Sequence, residues 1–133
     1  MSAYVLARAL PQPRIDFHRL INALASDEDR TYALAALNDL LTELSGSEFV
    51  DVVSDADLTF LEPYWQNYLA AMVEQAASQK DVAVPEWVRN VEELDRPHFV
   101  TPLRSLRLHL LRSSPVPFRR RNIFVDSAVG DRV

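Results

Sequence analysis

Apolar positions recur at helical spacing along most of the chain. Ile15, Phe17, Leu20, Ile21 and Leu24 form one stripe and predict a helix over about 14–25. Ser26, followed by Asp27, Glu28 and Asp29, sets a cap and then acids over the positive end of a second helix, over about 27–45. Tyr32, Leu34, Leu37, Leu40, Leu41 and Leu44 line its apolar face, and Gly46 reads as its stop. The stretch SEFVDVV (47–53) is short and valine-bearing, with no partner strand nearby, so it reads as a connection. Ser54 or Asp55 then caps a third helix, which Pro63 kinks or splits. Its remainder, Tyr64 to about Ser78, opens on Tyr64, Trp65 and Tyr68. Leu69, Met72 and Val73 continue the stripe, and Ala70, Ala71, Ala76 and Ala77 permit close packing.

Further on, Pro85 suits the first turn of a short helix, PEWVRNVEEL, that displays Trp87. Thr101-Pro102 is a cap followed by proline at the first helical position. It predicts a helix over 102–113 with Leu103, Leu106, Leu110 and Leu111 on one side. Residues 1–13 read as an extended lead-in. Residues 114–133 read as a basic C-terminal arm with a short strand near 122–125. The expected fold is mainly α: a single domain over 1–133, a compact bundle of about five to six helices with a short extended C-terminal segment. Trp65, Leu69, Leu106 and Leu110 are the expected core.

Composition narrows the function. With 133 residues and 48% hydrophobic content the chain is long enough to bury a core without staples. It has no cysteine, which excludes disulfides and thiolate metal sites and leaves the cytoplasm as the default location. No stretch approaches the roughly 20 apolar residues that span a bilayer. Charge divides along the chain. Residues 1–88 carry five Lys/Arg against fourteen Asp/Glu, whereas residues 89–133 carry nine against five. Opposite charge in the two parts favours a binding protein over an enzyme. The net charge of −5 confines any nucleic-acid contact to the basic third.

Candidate catalytic chemistry is sparse. Arg104 and His109 have the Arg-x-x-x-x-His spacing of HEPN-type endoribonucleases, in which the arginine stabilises charge and the histidine handles a proton. The five-residue offset sets them about 140° apart on an ideal helix, and Ser105 stands where that motif commonly has Asn, Asp or His. His18, His98 and His109 lack metal-ligand spacing, and no nucleophile elbow or glycine-rich phosphate loop is present. The chain is therefore expected to need no cofactor or metal and to have no catalytic residues. A plain structural or adaptor module is the third alternative.

The arm carries the strongest candidate site. Arg119, Arg120 and Arg121 follow Pro115, Pro117 and Phe118 and precede Ile123, Phe124 and Val125. The expectation is that the apolar neighbours fix the arm and leave three guanidiniums free for an acidic surface, since arginine makes bidentate contacts with carboxylates. Trp87, a residue type enriched at interfaces, joins Phe118 and the three arginines as a candidate partner-binding residue.

Three segments resemble a bacterial family, frequent in actinobacteria: WQNYLAAMVEQAA, VPEWVRNVEEL and RPHFVTPLRSLRLHLLRSSPVPFRRRNIFVD. Together they fall within the half of the chain from about residue 60 onward. In that family this region usually follows a helix-turn-helix domain, and the genes often lie beside nucleotidyltransferase-fold toxins, of which the proteins are taken to be antitoxins. Residues 1–55 are acidic and lack a short turn before a basic recognition helix, which puts DNA binding in doubt. What the resemblance implies is a cytoplasmic antitoxin that silences a cognate nucleotidyltransferase-like toxin by protein–protein contact, with homo-oligomerisation compatible.

Overall fold

The computed structural model describes residues 12–99 and 114–125. The chain is mainly helical, with six helices among those residues. They are α1 (Pro13–Ala23), α2 (Asp27–Glu43), α3 (Gly46–Val52), α4 (Pro63–Lys80), α5 (Glu86–Asn90) and α6 (Val116–Arg120). Two short strands, β1 (His98–Phe99) and β2 (Ile123–Phe124), pair in parallel with His98 opposite Ile123. The predicted helix over 102–113, with Arg104, Leu106, His109 and Leu110, lies outside the described residues.

The fold is organised around α4. Pro63 does not break this helix; it opens it, at a position where its missing N–H is not required. Leu69, Ala70, Ala71, Met72, Val73, Ala76 and Ala77 are all buried, so α4 is apolar on nearly every side. The alanines let α2, α3, α5 and α6 approach it. Against this axis packs the Ala33, Leu37 and Leu41 stripe of α2, while the Phe17, Leu20, Ile21 and Leu24 stripe of α1 packs on α2 and α3 in the same core. One core runs from Phe17 to Val125. Ile15 and Tyr32, expected on these stripes, are exposed, and Trp65 is only half-buried. Ile15 and Tyr32 each lie five residues before a core position, Leu20 and Leu37, about 140° away around the helix.

Residues 47–53 are helical rather than a connection. Ser45 accepts from the Glu48 N–H at 3.3 Å while the Glu48 carboxylate accepts from the Ser45 N–H at 3.1 Å, a complete capping box that starts α3. Hydrogen bonding to the Ser45 side chain, and secondarily to its backbone N–H, holds the Glu48 carboxyl below its ordinary pKa. Gly46 is the first residue of α3, not a left-handed stop. A β-carbon there would meet Val82 Cγ1 at 3.2 Å. The predicted helical segment before Pro63 is a turn, closed by Gln66 donating to the Leu58 and Leu61 carbonyls.

With two glycines in the whole chain, the glycine C-cap is nearly absent, and side chains from elsewhere satisfy the last carbonyls of four helices. Arg30 Nε donates to Leu24 O at 2.9 Å beyond α1, its guanidinium 4.4 Å above the Trp65 ring. Lys80 Nζ donates to Thr42 O and Leu44 O, at 3.1 and 2.6 Å, at the end of α2. Trp87 Nε1 donates to Val53 O, 2.8 Å, at the end of α3. Arg121 does the same for α5, as described below.

Candidate interaction surface at the arginine run

The three consecutive arginines do not form an extended arm. Pro115 and Pro117 start a helical turn, α6, and one helical step rotates each residue about 100° from the last. Positions 118 and 121, three apart, share one side of this turn and its end; positions 116, 119 and 120 share another. Phe118 and Arg121 are buried, whereas Val116, Arg119 and Arg120 are exposed.

Phe118 is fully enclosed and meets the Tyr68 ring edge-on, with centroids 5.1 Å apart. Burial, and secondarily the neighbouring Tyr64, pushes the Tyr68 hydroxyl up to about 12. Arg121 is 7% exposed. Its Nη1 donates to Asn67 Oδ1 at 3.0 Å and to Val91 O at 3.4 Å, and its Nη2 donates to Val88 O at 2.9 Å. The Glu74 carboxylate stands 3.8 Å from Nη2. Arg121 thereby donates to the last carbonyls of α5, an arrangement that the helix dipole favours. Burial lowers its pKa, with Glu93 opposing that shift and Arg120 adding to it.

Asn67, also fully buried, completes the network. Its Nδ2 donates to Pro63 O and Glu92 O, both at 2.9 Å. After Arg121 the chain turns through Asn122, which adopts a left-handed conformation (φ 62°) and donates from its amide to Leu94 O at 2.6 Å. Asparagine tolerates this region better than most residues. Ser114 then closes the segment, donating to Val125 O at 2.9 Å and accepting from Val125 N at 3.0 Å. The block from Ser114 to Val125 is therefore stitched to α4 and to residues 88–98.

Two expectations are corrected here. Phe118 is a core residue, and Arg121 is an internal cation; neither presents a side chain to a partner. Burying Arg121 supplies donors to the buried Asn67 Oδ1 and to the Val88 and Val91 carbonyls, and places a cation beside Glu74. Trp87 is half-buried, and its indole N–H is committed to Val53. Of the arginines, Arg119 is exposed, and Arg120, though its side chain is 60% exposed, is paired with Glu74. The exposed side of α6 is thus Val116, Arg119 and Arg120, one apolar residue beside two cations. Reading the run as a basic arm passes over this division; the proline spacing is the available helix signal, and the short strand expected near 122–125 is β2.

Among the described residues, no group of three or more His, Asp or Glu is placed to hold a metal. His18 Nε2 lies 3.6 Å from Asp55, which Arg14 also holds at 3.0 Å. His98 is exposed beside the Tyr64 ring. No described helix is long and apolar enough to cross a membrane. Compared with protein-family models, curated proteins and solved structures, the chain matches none.

Proposed function

We propose that this chain is a cytoplasmic, antitoxin-like binding protein that neutralises a cognate toxin of nucleotidyltransferase fold by protein–protein contact. The observation that carries the reading is the mounting of α6. Its inner side is locked by Phe118 and Arg121, while Val116, Arg119 and Arg120 stand on its outer side. A guanidinium pair on a fixed support loses less conformational freedom on binding than one on a loose arm. A toxin of that fold needs carboxylates to hold its metal ions, and arginine forks match carboxylates. Contact between α6 and that acidic cleft blocks access to it. The resemblance of the C-terminal segments to antitoxins adds the partner class.

Co-expression with a nucleotidyltransferase-fold toxin, sought first in the neighbouring gene, tests this. The chain restores growth, and Arg119→Ser/Arg120→Ser, with unchanged helical circular dichroism, loses most of the rescue. Unimpaired rescue by the double variant removes α6 from recognition. Growth inhibition by the chain alone, with RNA cleavage by the purified protein, contradicts the antitoxin reading.

A further inference from the structure

Glu74 has two cations. One oxygen faces Arg120 and the other faces the buried Arg121. The Glu74 side chain is only 16% exposed, so its charge needs a partner. Arg121 is held in place by Asn67, Val88 and Val91 independently of Arg120. Arg120, in contrast, reaches Glu74 from the surface, and no other bond to its side chain is present among the described residues.

We infer that Arg120 is an exchangeable cation: Glu74 holds it in the unbound chain, and an acidic protein surface takes it over while Arg121 keeps Glu74 compensated. Glu74 is then an internal competitor that lowers affinity for weakly acidic partners and admits those with several carboxylates. The partner class follows from geometry and charge. The same guanidinium already pairs with a carboxylate, and the planar arginine fork makes bidentate contacts with carboxylates. Arg119, one position earlier and exposed, supplies the second contact. This inference rests on α6 being the recognition surface and adds how that surface is regulated.

The test uses the full chain and a blocked hexaglutamate peptide, followed by the arginine Nε–Hε resonances in NMR at low salt. Hexaglutamate shifts the Arg119 and Arg120 signals and leaves Arg121 in place. Glu74→Gln keeps the side-chain shape and removes the competitor, so it tightens peptide binding about two- to fivefold, the scale of an exposed ion pair. Glu28→Gln, in the first turn of α2, removes the same charge without touching α6 and is the control for net charge. Its affinity stays within the error of the unmodified chain. Equal tightening by Glu28→Gln reduces the effect to bulk charge and overturns the competitor role. Unchanged or weaker binding by Glu74→Gln, with Arg121 still at its native shift, overturns it as well. A shift of Arg121 together with Arg120 contradicts the separation of the two. A single-stranded oligonucleotide that shifts Arg119 and Arg120 where hexaglutamate does not overturns the partner class. None of these readouts involves the toxin, so loss of growth rescue and loss of exchange are separate results.

Discussion

Arg121 shows how one side chain changes role when its neighbours are fixed. In sequence it is the third member of a basic run. In the fold it is a buried fork with Asn67, Val88 and Val91 on its donors and Glu74 beside it. Tyr68, edge-on to Phe118 in the adjoining layer, reports on the same region. Its hydroxyl is raised to about 12 by burial, so the folded protein keeps the proton that the unfolded chain releases near pH 10. The contribution is full below about pH 10 and is lost as pH rises toward 12, on the order of 2 kcal/mol. Alkaline titration of tyrosinate absorbance should show Tyr68 ionising late, with Tyr64, which burial also raises, displaced in the same direction, and urea stability falling over that window. If all four tyrosines titrate together near 10 while the protein remains folded, Tyr68 is not enclosed as described.

At the scale of elements, the helices were more legible than their ends. The stripes of α1 and α2 and the alanine-rich run of α4 follow directly from the 3.6-residue period. So does the proline opening of a helix, although Pro63 was read as a breaker rather than a start. Residues 46–52 were missed because seven residues are too few for periodicity, although the Ser45-x-x-Glu48 box was present in the sequence. The C-terminal caps were not readable at all. Lys80, Trp87 and Arg121 satisfy carbonyls about 30 or more residues away, and local sequence carries no trace of that. This long-range capping makes a prediction. Trp87→Phe keeps an aromatic ring, though a smaller one, and removes the donor to Val53 O; it should cost at least about 1–2 kcal/mol in urea denaturation with little change in helical signal. No loss would mean that water replaces the indole N–H and that the bond does not fasten α3 to α5.

Across the whole molecule, the mainly helical fold was legible, whereas the candidate site was legible only as a location. Composition marked residues 114–125 as chemically distinct, yet it could not divide them. The division needs the rotation of α6 and the presence of Asn67, Glu74 and the end of α5 beneath it, contacts made across 30 to 54 residues of sequence. Within the described residues the arginine run is not a separate basic face. One arginine of the run is drawn inward as structure, one is shared with Glu74, and one stands on the surface.

Urea denaturation of three single variants, Arg119→Ser, Arg120→Ser and Arg121→Ser, measures this division directly. Removing Arg121 leaves the buried Asn67 Oδ1 and the Val91 carbonyl without their side-chain donor and Glu74 with Arg120 alone, a loss of about 3–5 kcal/mol. Arg119→Ser and Arg120→Ser should each stay within about 1 kcal/mol of the unmodified chain, as exposed cations do. Equal, small losses at all three positions would contradict the account, because the run would then be a surface arm with no member holding the fold.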